Sequence, residues 1–201
     1  MKYHSTQPQV SVFRASLSAL LLSLLLLTGC ERHVLPPSQQ PVAIEDDDIC
    51  AVCGMYIKDS PGPRGEAYVE GHKQPLKFDS TRDFFAYILQ PDNATRLQNL
   101  FVQDSARINW AHPSNSADSF TDARTAYYVG WQPLLGSMGP TLASFARKED
   151  ADQFIRDHGG HLLRFDEITP EMISLLGATP PRDGSLALKL VPSSHTERKT
   201  H

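Results

Sequence analysis

Residues 126–165 read AYYVGWQPLLGSMGPTLASFARKEDADQFIRDHGGHLLRF, and each part of that run carries a different structural signal. Ala126-Tyr127-Tyr128-Val129 has the aromatic and β-branched composition of a strand. Gly136-Ser137-Met138-Gly139-Pro140 is a turn, and Leu142 to Phe145 returns as a second strand. Lys148 to Asp157 reads as a helix that stops at Gly159-Gly160, because glycine accepts the left-handed backbone of a helix cap. His161 to Phe165 is a closing strand. Residues 66–102 follow the same order: the strand Ala67-Tyr68-Val69-Glu70, the turn Gly71-His72-Lys73-Gln74-Pro75, the return Leu76-Lys77-Phe78, a helix, and the strand Leu100-Phe101-Val102. Ser80 caps that helix with Asp83 three residues on, and Phe84, Phe85, Ile88 and Leu89 supply its apolar face. Phe78 stands five positions before Asp83, as Phe145 does before Asp150, so the two stretches share a local register. The pattern predicts an α+β fold of two similar ββαβ units packed together. Thr169-Pro170 opens a further short helix ending near Gly177. Residues 103–124 are loop-rich and yield no assignable element.

The chain has 201 residues, with 19 Lys+Arg against 23 Asp+Glu. Only Lys2 and Arg14 fall within residues 1–29, so a chain starting at Cys30 keeps 17 basic residues against the same 23 acidic ones. That balance excludes the basic surplus a nucleic-acid binder needs, and three cysteines exclude a disulfide framework. Leu17 to Leu27 is a Leu/Ala/Ser run of about 11 residues, roughly 16 Å as a helix, too short for about 30 Å of hydrocarbon. A basic start, a short apolar stretch and small residues before a cleavage point describe a secretory signal. Leu27-Thr28-Gly29-Cys30 resembles a bacterial lipobox, in which the cysteine becomes the lipidated first residue. By resemblance to enterobacterial lipoproteins, Glu31 after that cysteine favours outer over inner membrane. The expected organisation is a lipoprotein signal peptide over 1–29, lipidated Cys30 with a flexible spacer over 30–48, a folded domain over 49–177 and a mobile tail over 178–201. The spacer carries Pro36, Pro37 and Pro41, closes on Asp46-Asp47-Asp48 and buries nothing. At about 3.1 Å per residue it reaches up to about 55 Å from the membrane.

Chemistry concentrates in Cys50-Ala51-Val52-Cys53-Gly54-Met55. A C-x-x-C pair is ordinarily a redox dithiol, half of a zinc site or a structural disulfide. The redox reading wants a strand-to-helix context, whereas an acidic spacer precedes this pair and a strand region follows it. Histidines would have to complete a Zn(II) site, since no second C-x-x-C exists. Met55 favours a softer metal, because a thioether serves Zn²⁺ poorly and suits Cu(I). Cys53-Gly54-Met55 puts two sulfurs on one tight turn. Met138 sits in a turn, an unexpected place for a core methionine, whereas Met172 beside Ile173, Leu175 and Leu176 reads as core. Of eight histidines, His4 leaves with the signal peptide and His33, His195 and His201 lie in the ends. His161 opens a strand after Gly159-Gly160 and ranks first as an imidazole ligand. His72 ranks second, in the turn that corresponds to Met138. His158 reads as a solvated residue favouring a helix C-terminus, and His112 falls in the unassigned loop.

These residues resemble the nitrous oxide reductase accessory lipoproteins, the NosL family. The likeness runs through Cys30, Cys53-Gly54-Met55, the strand–turn–strand at 66–78, Tyr127-Tyr128-Val129, Ser137-Met138-Gly139, Phe145, Asp150-Ala151, Phe154, Gly159-Gly160 and Phe165-Asp166-Glu167-Ile168, over about residues 45–176. It implies a periplasm-facing Cu(I)-binding lipoprotein, a chaperone for assembly of the copper–sulfide centre of nitrous oxide reductase, and not an enzyme. It also implies a fold distantly like the organomercurial lyase core. The family's Cys-x-Met element carries over onto Cys53 and Met55, and its Met-Gly turn onto Met138. Cys53 is then the anchor ligand with Met55 beside it and His161 or Met138 completing the site. Cys50 is a second ligand, a disulfide partner or a bystander. The implied partners are the membrane through Cys30, an ABC-type transporter complex with a periplasmic subunit, and the reductase. Three other readings stay open: a thiol–disulfide oxidoreductase using Cys50 and Cys53, an organomercurial-lyase-like enzyme, and a metal-independent adaptor between transporter and reductase.

Overall fold

A computed structural model describes residues 39–178. The assignments of a signal peptide, of lipidation at Cys30 and of a tail beyond 178 fall outside the described residues. A first antiparallel sheet contains β1 (Gly65–Val69), β2 (Leu76–Phe78), β3 (Leu97–Gln103) and β4 (Phe120–Asp122) in the order β2-β1-β3-β4. Helices α1 (Thr81–Ile88) and α2 (Pro91–Ala94) lie between β2 and β3. A second antiparallel sheet, in the order β8-β5-β9, contains β5 (Tyr127–Gly130), β8 (Ala143–Phe145) and β9 (His161–Arg164). The two-stranded ribbon of β6 (Leu135–Gly136) and β7 (Gly139–Pro140) interrupts it, α3 (Lys148–His158) joins β8 to β9, and α4 (Pro170–Leu175) follows. The chain is a mixed helix-and-sheet protein with antiparallel strand pairing.

Local chemistry accounts for the main helix boundaries. The Ser80 hydroxyl accepts a hydrogen bond from the Asp83 N–H at 3.1 Å, satisfying one orphan donor of α1. Phe84, Phe85 and Ile88 then fall on one buried face. Gly159 ends α3 at φ 76°, and Thr169 caps α4 by accepting from the Met172 N–H. Met172 is buried, as its neighbours in sequence indicate.

One core joins the two sheets. Phe78, Phe84, Phe85 and Tyr128 stack edge to face in series, with centroid separations of 5.7, 5.2 and 5.1 Å. Such pairs add about 0.5–1.5 kcal/mol each beyond the area they bury. The packing leaves no room at Gly65, where a Cβ would lie 2.7 Å from the Phe84 ring. Tyr128, though buried, satisfies its hydroxyl by donating to the Ala123 carbonyl at 2.6 Å.

Two expectations need correction. The spacer does not extend to residue 48 as a segment that buries nothing. Ile44 is buried with Cys50, Ile57 and Phe120, and its N–H donates to the Asn115 carbonyl at 2.9 Å. The Tyr68 hydroxyl donates to Gln40, the Lys77 ammonium to Ala43, and the Val42 N–H to the Glu66 carboxylate at 3.0 Å. Residues 103–124 also have definite order: two single-turn 3-10 helices, Ser105–Arg107 and Ala117–Ser119, and then β4. Fully buried Arg64 anchors this region by donating to Asn115 Oδ1 and to the Lys58 carbonyl, both at 2.6 Å. Hydrogen bonds between segments remote in sequence hold both regions, so neither shows a periodic pattern.

Glu66 is also fully buried, and its Oε1 has no hydrogen-bond partner among the described residues. Burial, partly offset by the Val42 N–H and Lys77, pushes its carboxyl up from 4.5 to about 7. Between those values the folded chain keeps a proton that the unfolded chain has released. Stability therefore falls as pH rises from about 4.5 to 7 and levels off above. The expected loss over that interval is on the order of 3 kcal/mol. In urea unfolding, the stability of Glu66→Gln relative to wild type should rise across that interval; parallel pH profiles would contradict this assignment.

Candidate metal centre

The segment from Cys50 to Met55 closes on itself. The Cys50 N–H donates to the Met55 carbonyl at 2.8 Å and the Gly54 N–H to the Cys50 carbonyl at 2.9 Å. Gly54 sits at φ 74°, a backbone that a side chain would strain. The Ala51 N–H donates to the Lys77 carbonyl at 2.9 Å, which ties the loop to β2. This anchoring sets the loop over the start of α1, where Asp79 and Asp83 bracket the Ser80 cap.

The Cys53 thiol donates to Asp79 Oδ2 at 3.4 Å, and the Cys50 thiol to Asp83 Oδ2 at 3.5 Å. One donor atom from each of Cys50, Cys53, Asp79 and Asp83 lies within 4.8 Å of the others. Cys50, Asp79 and Asp83 are buried and Cys53 is half-buried. Asp79 Oδ1 is a buried acceptor with no partner among the described residues. Burial, together with the neighbouring Cys50 thiol and the Asp79 carboxylate, pushes the Cys53 thiol up to about 12. Burial also raises Cys50, and burial followed by the charge of Asp79 raises Asp83. Both sulfurs hold protons at neutral pH, so a cation that binds them as thiolates must displace those protons.

A cleft of about 550 Å³ opens beside this cluster, and Val52, Cys53, Asp83 and Met138 are among the residues that line it. Met138 occupies the two-residue tip between β6 and β7, followed by Gly139 at φ 99°, and is 49% exposed. The structure thus brings Cys50, Cys53 and Met138 toward one place. Met55 lies on the cysteine loop, but it is exposed and does not line the cleft. His161 pairs with Gly130 and packs edge-on against Trp131 at 5.8 Å, and it too is absent from the cleft wall. His72 is exposed in the turn between β1 and β2, where its N–H donates to the Val69 carbonyl. His158 packs on the Phe154 ring and His112 is exposed.

Asp79 and Asp83 are the residues that sequence reasoning missed as site groups. The available signal was a pair of acids four apart around a helix cap, directly after buried Phe78. An acid three residues after a serine cap is an ordinary helix-start pattern, and the sequence reading places Asp83 in that capping box. Its carboxylate instead faces Cys50.

Comparison with known proteins gives a consistent set of relatives. The NosL family profile matches residues 41–173. The copper-binding lipoprotein NosL of Stutzerimonas stutzeri is 42% identical over 76% of this chain and 80% of its own length. The copper-binding lipoprotein NosL of Achromobacter cycloclastes is 29% identical over 81% of this chain and 82% of its own. Among solved structures, that of the copper chaperone NosL from Shewanella denitrificans is similar, with a TM-score of 0.64 and 39% identity. It covers 67% of this chain and 99% of that one. These relatives are described as binding or carrying copper, not as enzymes.

The Asp79 charge opposes ionisation of Cys53 in addition to burial. Asp79→Asn should therefore speed alkylation of Cys53 at pH 8, by up to about tenfold for one unit of lowered pKa. The check is peptide-resolved iodoacetamide kinetics; an unchanged or slower rate would remove Asp79 from the account.

Proposed function

The chain belongs to the NosL family, and on that premise we propose that it is a lipid-anchored Cu(I) carrier facing the periplasm. The observation that carries this reading is the approach of two cysteine sulfurs to one buried pocket of acids, at the wall of a cleft that Met138 also lines. Thiolate and thioether sulfur select Cu(I) over harder divalent ions. Cys53 is the anchor, being part of the cluster and also open to the cleft. Met138 completes the site from the β6–β7 tip, Cys50 is a second thiolate, and Met55 stands by on the exposed side of the same loop. The placement of His161 and His72 away from the cleft argues against either as a ligand. A second reading follows from the carboxylates, because two thiolates with two carboxylates also form a tetrahedral donor set for Zn(II).

The wider setting rests on the family likeness and the leader sequence. In this reading residues 1–29 are a cleaved signal peptide and Cys30 carries lipid, with the outer membrane favoured by Glu31. The cargo goes to the copper–sulfide centre of nitrous oxide reductase by way of an ABC-type transporter complex with a periplasmic subunit. Because residues 40–48 pack on the domain, the tether shortens to about nine residues, or about 28 Å if extended. We also read the two sheets as copies of one ββαβ unit. Each places the first strand of its stretch at the centre, in the orders β2-β1-β3 and β8-β5-β9. Kinship to organomercurial lyases rests on the sequence likeness and on thiols set beside a carboxylate.

Titration of the reduced protein with Cu(I) against a chelating competitor, without oxygen, tests the assignment. Saturation near one equivalent is expected. Cys53→Ser should lose the metal to the competitor, and Met138→Leu should weaken binding at least about tenfold, or 1.4 kcal/mol. His161→Ala and His72→Ala should match wild type. Tight binding that survives Cys53→Ser, or that fails in His161→Ala, would overturn this ligand set.

A further inference from the structure

The cleft beside Cys53 is far larger than a metal ion requires. Its volume of about 550 Å³ falls in the range of small-molecule sites, roughly 300–1,000 Å³. Leu89, Pro91 and Ile173 give it an apolar wall, against which water gains little. Two charged residues line it. Asp83 is buried and accepts from the Cys50 thiol. Arg82 is half-buried at the start of α1, and its backbone N–H is held by Thr141 Oγ1. Its guanidinium makes no hydrogen bond or ion pair among the described residues. The cleft therefore offers soft sulfur, an apolar wall and an uncommitted fork of donors suited to a carboxylate.

Resting on the Cu(I) reading above, we propose that this cleft binds a small thiol bearing a carboxylate, which delivers Cu(I) and remains as an exogenous ligand on it. The carboxylate pairs with Arg82, the body of the molecule lies along Leu89 and Ile173, and its sulfur faces the metal between Cys53 and Met138. Cu(I) is exchanged between ligands rather than released as a free ion, so a carrier needs space for the donor's ligand beside its own. The step balances without redox change. A bis-thiolate Cu(I) complex meets the Cys53 thiol, and one donor thiolate leaves with the Cys53 proton as free thiol. Copper stays Cu(I), held by the Cys53 thiolate and the remaining donor thiolate.

The test uses the reduced full chain in detergent, charged with one equivalent of Cu(I) from its acetonitrile complex. Glutathione is then added and the protein followed by native mass spectrometry and calorimetric titration. One retained glutathione per copper-loaded chain is expected, and none on the copper-free chain. Cysteamine, a thiol with no carboxylate, should bind at least tenfold more weakly, and Arg82→Gln should abolish that difference between the two thiols. Copper uptake with no retained thiol overturns the proposal and leaves the cleft to a macromolecular partner, as does equal binding of the two thiols to the wild-type chain. Failure to take up Cu(I) from acetonitrile overturns the copper reading and this proposal together.

Discussion

The Thr81 hydroxyl is buried between the two sheets and donates to the Leu142 carbonyl at 2.6 Å, while the Leu142 N–H donates back to it at 3.2 Å. Thr141 Oγ1 lies 2.8 Å from the same hydroxyl and also accepts from the Arg82 N–H. The Thr81 N–H is held by the Pro63 carbonyl. A polar cluster inside a core is worth keeping only when its members are satisfied, and here the hydroxyl and the N–H are both partnered. These bonds fix the first turn of α1 against the segment leading into β8. Asp79 and Asp83 flank that turn, and the ribbon carrying Met138 ends one residue before Thr141. The contact therefore ties the acids at the start of α1, and the cysteine loop that meets them, to the segment that follows the Met138 ribbon.

The elements that local chemistry determines were legible in the sequence. Ser80 as a cap, Gly159 as a stop and the Met138 tip all depend on neighbours within a few residues, and the structure has each of them. Ile44 and Arg64 were not legible, because Asn115, the partner they share, lies 51 residues beyond Arg64 and farther still from Ile44. In the site, the spacing of Cys50 and Cys53 pointed to the loop. Nothing local distinguished Asp83 from an ordinary helix-start acid. The sequence could not place His161 relative to the cysteines, because Gly159-Gly160 locates the start of a strand but carries no information on distance. Strand pairing with Gly130 decides where that ring sits.

The site grades from buried to open. Cys50, Asp79 and Asp83 are buried, Cys53 is half-buried, and Met138 and Met55 are 49% and 44% exposed. In the proposed reading, a soft cation in this gradient would be held from below by thiolate and met from above by thioether, whose neutral sulfur is displaced more readily. An incoming ligand can add on the open side before the buried one lets go, which reconciles retention with release. The raised thiol pKa adds a control, since each thiolate formed liberates a proton and binding strengthens as pH rises. Protonated thiols are also poor nucleophiles, which slows oxidation of the pair.

X-ray absorption at the copper edge of the Cu(I)-loaded protein reads the ligand set most directly. The account predicts a first shell dominated by sulfur, with thiolate and thioether scattering, a carboxylate oxygen at most, and no imidazole signature. An imidazole in that shell, or a shell dominated by nitrogen and oxygen, would contradict it and return His161 or another histidine to the site.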